Sequence, residues 1–215
     1  MRNLFHSVVF FLFFAMASAN AKDATVVLDT FDNATPWRVI ASTQVSGSIR
    51  AEDGGLCLDY DFNGVSGYVG IQRDLVIAYP DNYRFDFRLR GQSPANDLQF
   101  KLIDASGDNV WWVNRPKYRF PGEWTPVRYK RRHIGKAWGP GADPQLRSSA
   151  KLEFTINNSS GGKGAVCFDA LTFTALPEDR ALPEVATATS ARGEAKRTID
   201  GDAGTAWRTG KGLQR

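Results

Sequence analysis

The chain has 215 residues, of which 42% are hydrophobic, 12% aromatic and 23% charged, with a formal net charge of +4. This length and apolar content suffice for one domain of about 150 residues with a buried core, together with appended segments. The modest charge does not indicate a nucleic-acid-binding chain, although the pI of 9.1 is compatible with an acidic partner.

Residues 1–21 have the pattern of a secretory signal peptide. Arg2 provides a basic start, and Val8–Met16 form an apolar run that is short for a membrane span. Small residues follow at 17–21 (ASANA) and fit a cleavage site. A membrane anchor is the alternative. No later segment is apolar for long enough to span a membrane, so we expect a secreted or periplasmic protein.

Short strand-like segments, separated by Gly, Asn, Asp and Pro, predict an all-β domain from residue 22 to residue 175. Their spacing is typical of an antiparallel β-sandwich. The predicted strands are 24–31, 45–51, 55–62, 67–77, 82–90, 97–104, 110–114, 124–131, 151–157 and 164–174. Residues 135–149 (GKAWGPGADPQLRSS) predict a long loop, either functional or a surface excursion.

Cys57 and Cys167 are the two cysteines of the chain, and both lie in predicted strands. In an oxidising compartment they can form one disulfide, which requires the first and last thirds of the sandwich to lie side by side. The alternative is a pair of buried thiols that pack as small hydrophobic side chains.

The segment 97–114 (DLQFKLIDASGDNVWWVN) predicts a hairpin with two adjacent tryptophans in its second strand. Side chains alternate between the faces of a strand, so the two indoles cannot share one core. Pairing of residues 104 and 109 places Trp111 opposite Leu102 on an apolar face and Trp112 opposite Lys101 on a polar face. We therefore expect Trp111 to be buried and Trp112 to be exposed, and a slip of one residue would exchange them.

The outward faces of the neighbouring strands combine aromatic rings, amides, a carboxylate and guanidinium groups. This mixture suits a carbohydrate, because a ring stacks on a pyranose and the polar groups satisfy its hydroxyls. The alternative is an ordinary solvated face with one stray indole. The candidate ligand-binding residues are Trp112, Asn114, Arg88, Arg84, Asp86, Gln99, Lys101 and Tyr68.

Residues 115–136 form a basic run with eight Lys or Arg residues, one His and a single acid, Glu123. Cations interleaved with aromatic residues can form a groove for an anionic chain, which in an exported protein favours an acidic polysaccharide over nucleic acid. The simpler interpretation is a charged edge strand that guards against aggregation.

No catalytic motif is evident in the sequence. His133 is the only histidine outside the predicted signal peptide, and no nucleophile motif surrounds it. Three aspartates at the ends of the first and last predicted strands are candidate Ca²⁺ ligands. They are Asp29, Asp32 and Asp169.

Six motifs, taken in chain order, resemble the jelly-roll carbohydrate-binding modules of bacterial polysaccharide-degrading enzymes. They are LDTFDN, GGLCLDYDF, YRFDFRLRG, LIDASGDNVWW, PGEWTPV and CFDALTF, and the resemblance spans residues 24–175. It implies a concave sheet that binds glycan and a structural Ca²⁺ that joins the terminal strands. By position it assigns glycan binding to the face of Trp112, Asn114 and Arg88, and calcium to Asp29 or Asp32 with Asp169.

Beyond the sandwich, residues 176–185 (LPEDRALPEV) predict a linker, and residues 186–215 resemble the start of a coagulation factor 5/8 type C (discoidin) domain. The run IDGDAGTAWRT carries this resemblance, which implies Ca²⁺ ligands at Asp200, Asp202 and Thr205. About thirty residues are too few for a second core, so we expect an incomplete, unfolded tail on a fragment of a larger secreted protein.

The sequence as a whole predicts a monomeric, non-catalytic module that binds a poly- or oligosaccharide, neutral or anionic, and neither nucleic acid nor membrane. Two alternatives remain. In the first, the sandwich is an accessory domain packed against a catalytic domain, such as a glycoside hydrolase, and the Trp face is a protein interface. In the second, the sandwich belongs to a cell-surface adhesion protein.

Overall fold

The computed structural model describes residues 24–52 and 54–177, where apolar and polar side chains alternate along most of the strands. Twelve strands are formed in this part of the chain, with no α-helix. They are β1 (Ala24–Asp29), β2 (Arg38–Ala41), β3 (Ser46–Glu52), β4 (Gly55–Asp61), β5 (Tyr68–Ala78), β6 (Tyr83–Gln92), β7 (Asp97–Ile103), β8 (Val110–Arg115), β9 (Thr125–Lys130), β10 (Gly135–Trp138), β11 (Ser148–Asn157) and β12 (Lys163–Ala175). A single 3₁₀ turn, Arg131–His133, separates β9 from β10.

The strands form two six-stranded antiparallel sheets, which confirms the predicted β-sandwich. The first sheet has the order β3-β4-β12-β6-β9, with β1 added to the C-terminal part of β12. The second sheet has the order β10-β8-β7-β11-β5-β2. Its two edges are therefore the short strands β10 and β2.

Aromatic side chains from both sheets meet in the core between them. Phe154 of the second sheet stacks on Phe168 of the first, with ring centroids 4.3 Å apart. It also contacts Phe87 at 5.0 Å and Phe100 at 5.3 Å. Burying each such ring stabilises the sandwich by roughly 1.5–3 kcal/mol, and the alternation along each strand then directs the intervening polar residues outward.

Two strands were not expected from the sequence, and both are four-residue edge strands of the second sheet. β2 lies between turns, and β10 occupies the start of the segment predicted to be a loop over 135–149. A short edge strand shows little alternation of its own and is specified by hydrogen bonds to its neighbour. Here Gly135 pairs with Trp112 of β8, and only the residues from 139 to 147 form the loop.

Cys57 of β4 and Cys167 of β12 are directly opposite in register and form a disulfide. The bridge joins an early strand to the last one, so of the two alternatives left open by the sequence, a disulfide or two buried thiols, the structure has the disulfide. Both cysteines are buried, at 0% and 5% exposure.

The predicted signal peptide, nearly all of the predicted linker and the discoidin-like segment, with Asp200, Asp202 and Thr205, lie outside the described residues. These predictions are therefore not tested by the fold. Within residues 24–52 and 54–177, no helix has the length and apolar character that crossing a bilayer would require.

Candidate functional site

The hairpin formed by β7 and β8 has the register expected from the sequence. Lys101 pairs with Trp112, and Leu102 pairs with Trp111. Trp111 is buried at 7% exposure, and its indole N–H donates to the carbonyl of Pro144 at 2.8 Å, beneath the 139–147 loop. Trp112 lies on the outward face and is half-buried. The predicted division of the two indoles between the faces is confirmed.

The turn of this hairpin is organised by the carboxylate of Asp104. It accepts hydrogen bonds from the Ser106 hydroxyl at 2.7 Å, the Gly107 backbone N–H at 3.0 Å and the Asn109 side chain at 2.8 Å. Burial alone would raise the pKa of Asp104, but the hydrogen bonds outweigh it and lower the pKa. The turn therefore holds the register that brings Trp112 to the outer face.

The outward face of the second sheet contains a groove of about 480 Å³. Aromatic rings form its walls: Trp138 is 49% exposed, and Tyr68 is 40% exposed. Trp112 meets Trp138 edge to face, with ring centroids 5.5 Å apart and an interplanar angle of 83°. The residues that line the groove are Ile40, Tyr68, Gln72, Gln99, Lys101, Ile103, Gly107, Val110, Trp112, Trp138, Glu153 and Asn157.

A buried ion pair forms the centre of the groove floor. The Lys101 ammonium lies 2.8 Å from the Glu153 carboxylate, and both residues are less than 10% exposed. Glu153 also accepts hydrogen bonds from the side chains of Gln72, at 2.8 Å, and Thr155. A buried pair stabilises only when its remaining polar groups are satisfied, and here both carboxylate oxygens of Glu153 have hydrogen-bond partners. The floor is thus polar and electrically neutral.

Lys101 also connects the floor to the aromatic walls. Its Nζ lies 5.5 Å from the ring centroid of Tyr68 and 5.8 Å from that of Trp138, within the range of cation–π attraction. One ammonium therefore contacts rings on β5 and β10, strands that are not neighbours in the sheet.

Gly70 lies between Tyr68 and Gln72 on β5, where the chain packs closely against β11. A Cβ at this position would lie 2.4 Å from the Phe154 carbonyl oxygen and 3.1 Å from Thr155 Oγ1. Only glycine therefore allows β5 to pack this closely against β11.

The eight residues predicted to bind ligand are divided between the two sheets. Tyr68, Gln99, Lys101 and Trp112 line the groove. Asn114 lies beside it, opposite Gln99 in register, and its buried Oδ1 has no hydrogen-bond partner among the described residues.

Arg84, Asp86 and Arg88 are not on this face, and the predicted common surface is wrong in this respect. They belong to β6, in the first sheet, because the chain crosses the sandwich between β6 and β7. Arg84 pairs with Asp86 at 2.9 Å, and Arg88 pairs with Asp169. The expectation assumed that strands adjacent in sequence are adjacent in the sheet.

Trp138 and Glu153 are two of the groove residues that were not among the predicted ligand-binding residues. Trp138 was within the predicted loop, where no strand pattern assigned it a face. Glu153 had a usable signal, because in KLEFTIN it alternates with Leu152 and Phe154 and therefore points away from the core.

The three candidate Ca²⁺ ligands do not converge on one point. Asp29 pairs with Arg73 and accepts a hydrogen bond from the Trp37 indole N–H at 2.9 Å. Asp169 pairs with Arg88, and Asp32 is exposed. In the described part of the chain, Arg73 neutralises the buried carboxylate of Asp29, and Arg88 neutralises that of Asp169. Calcium at these positions stays a prediction, and the function proposed below does not depend on it.

Comparisons with known proteins identify structures of similar fold. No family model matches this chain, and no curated protein matches its sequence. Among solved structures, it is similar to the family 11 carbohydrate-binding module of a cellulosomal cellulase of Clostridium thermocellum, with a TM-score of 0.57, 15% identity, and coverage of 74% of this chain and 99% of the module. It is also similar to the family 11 module from Clostridium thermocellum in complex with a β-1,3-1,4-mixed-linked tetrasaccharide, with a TM-score of 0.54, 18% identity, and coverage of 69% and 94%. At these identities, what is shared is the jelly-roll fold.

Proposed function

We propose that this chain is a non-catalytic module that binds a glycan chain in the groove of the second sheet. The observation that carries the proposal is the combination of exposed aromatic rings, Trp138 and Tyr68, with a buried polar floor. Ring faces pack against the C–H surface of a pyranose, while fixed amides and charged groups exchange hydrogen bonds with its hydroxyls.

The charge of the floor favours a neutral sugar. Lys101 and Glu153 compensate each other, and the other polar groups of the lining are amides such as Gln72, Gln99 and Asn157. A carboxylate or sulfate would find no unpaired cation in the lining. The similar family 11 module was solved with a mixed-linked tetrasaccharide, so mixed-linkage β-glucan is the first ligand to test.

The arrangement of acids favours binding over catalysis. Glycoside hydrolysis ordinarily uses two carboxyl groups that flank the scissile bond. Glu153 is the one acid among the residues that line the groove, and its carboxylate is held by Lys101. We therefore propose that the module brings a larger secreted carbohydrate-active protein to its substrate. The leader-like segment at residues 1–21 supports the secreted part of this proposal.

Affinity electrophoresis in mixed-linkage β-glucan tests the proposal. We expect the wild-type chain to be retarded and Trp138→Ala to weaken binding by at least about 30-fold, as expected for an aromatic residue that dominates an interface. Trp124→Ala is the matched control. Its indole lies on the first sheet, where it stacks against Arg90 at 4.7 Å, and its removal should leave retardation unchanged.

Two outcomes would contradict the proposal. One is the absence of retardation by every glycan, neutral or acidic, which would instead favour a protein interface at the Trp face. The other is an equal loss of binding in Trp124→Ala and Trp138→Ala, provided that both variants unfold at the same urea concentration as the wild type.

A further inference from the structure

We propose that a second surface, where the edge strands β9 and β10 of the two sheets are joined, binds an anionic polysaccharide. This basic edge surface consists of Arg115, Lys130, Arg131, Arg132 and His133. The inference goes beyond the proposed function because it concerns a different surface and a different class of glycan. Only the choice of a polysaccharide over other polyanions rests on that function.

The basic edge surface is assembled from both sheets. Arg115 ends β8 in the second sheet, Lys130 ends β9 in the first, and the 3₁₀ turn Arg131–His133 follows directly. Burial, together with the positive charges of Arg132, Lys130 and Arg115, lowers the pKa of His133. The cations are therefore close enough to act on one imidazole.

Tyr83 is a second titrating group close to Arg131. Burial raises the pKa of Tyr83 to about 12, and the positive charge of Arg131 opposes that rise. Tyr83, Arg131 and Arg132 also share the lining of one concavity.

The arginines of this surface differ from most others in the described residues because they have no acidic partner. Arg115, Arg131 and Arg132 are exposed, and no carboxylate lies within ion-pair distance of them in residues 24–52 and 54–177. Elsewhere in those residues eight arginines are paired with Asp or Glu. They are Arg38, Arg50, Arg73, Arg84, Arg88, Arg90, Arg128 and Arg147. Uncompensated like charges repel one another, so this cluster favours an external anion.

The shape of the surface fits one anionic group of a chain. Arg131 and Arg132 line a concavity of about 180 Å³ together with Tyr83 and Gln145, and no acid contributes to the lining. A guanidinium group offers two parallel N–H donors, which match the two oxygens of a carboxylate or sulfate.

The position of the surface favours a polysaccharide. Gly135, two residues after His133, is the strand partner of Trp112, so this surface lies beside the groove that is proposed to bind glycan. Nucleic acid fits less well, because single strands bind through exposed rings on which bases stack. Tyr118, the nearby aromatic residue, is covered by Arg115 at 5.9 Å and by Phe120 at 5.1 Å.

Titration with polygalacturonate tests the inference. We expect Arg131→Gln/Arg132→Gln to raise the Kd for polygalacturonate about tenfold, with mixed-linkage glucan binding unchanged. Arg50→Gln/Lys163→Gln removes the same charge from β3 and β12 of the first sheet, strands that are not neighbours of β9, and should leave the Kd unchanged. Trp138→Ala should show the converse pattern, losing glucan and retaining polygalacturonate. Added salt should weaken only the polygalacturonate complex.

Four outcomes would contradict the proposal of a second binding surface. The wild type could fail to bind polygalacturonate, or the control variant could lose as much polygalacturonate affinity as Arg131→Gln/Arg132→Gln. Trp138→Ala could lose binding of both ligands, or a single-stranded polyribonucleotide could bind more tightly than polygalacturonate at the same salt concentration. By contrast, loss of glucan binding alone would contradict the groove proposal and leave this surface intact.

Discussion

Lys101 joins the polar floor of the groove to two of its aromatic walls. Its ammonium pairs with Glu153 and lies within 6 Å of the rings of Tyr68 and Trp138. The long side chain thus fixes groups from three strands at once. At the residue scale, we interpret Lys101 as the residue that positions the rings for a sugar.

Removing Lys101 alone, and then Lys101 and Glu153 together, distinguishes the structural role of the ion pair from its role in binding. Lys101→Met leaves the Glu153 carboxylate buried and unpaired, so we expect urea unfolding to show a loss of about 3–5 kcal/mol. Lys101→Met/Glu153→Gln should recover most of that stability, because no buried charge remains. It should still bind glucan more weakly than the wild type and show altered tryptophan fluorescence, since Trp138 loses its cation. Full glucan affinity in the double variant would contradict the positioning role.

The residue-scale prediction from sequence succeeded where a local rule applied. Strict alternation in the hairpin was enough to assign Trp111 to the interior and Trp112 to the groove. The exposure of Trp138 was not predicted, because its orientation depends on β10, a four-residue strand that is paired with β8. No local pattern encodes that pairing.

At the scale of elements, strand positions were predictable, but strand neighbours were not. β6 was recognised as a strand with alternating arginines, yet it belongs to the sheet opposite the groove. Sheet order depends on contacts between residues far apart in sequence, and a β6–β7 connection of four residues is compatible with either arrangement. The arginines of β6 therefore bind acids of the first sheet rather than line the groove.

The disulfide between β4 and β12 yields an element-scale prediction. It closes a loop with a sequence separation of 110 residues, which restricts the unfolded chain. We expect reduction with dithiothreitol to lower the free energy of unfolding by about 2–5 kcal/mol. The Cys57→Ala/Cys167→Ala variant should match the reduced protein and should not respond to dithiothreitol. An unchanged unfolding midpoint after verified reduction would contradict this expectation.

At the scale of the whole molecule, the sandwich presents surfaces of different chemistry. The groove is aromatic and neutral, the outer face of β6 is covered by internal ion pairs, and the basic edge surface has unpaired arginines. The class of fold followed from the number and spacing of strands, a property distributed over the whole domain. Identifying the surface that faces a ligand required the three-dimensional structure, which shows which strands are neighbours in each sheet.

The central claim is that glycan binds on the outer face of the second sheet, and indole N–H signals in ¹H–¹⁵N spectra test it most directly. Titration with a mixed-linked β-glucan tetrasaccharide should shift the signals of Trp112 and Trp138. Trp37, buried in the core, and Trp124, on the first sheet, should not shift. Saturable shifts confined to Trp112 and Trp138 are the predicted result. Shifts confined to Trp124, or shifts of no indole at saturating ligand, would contradict the account.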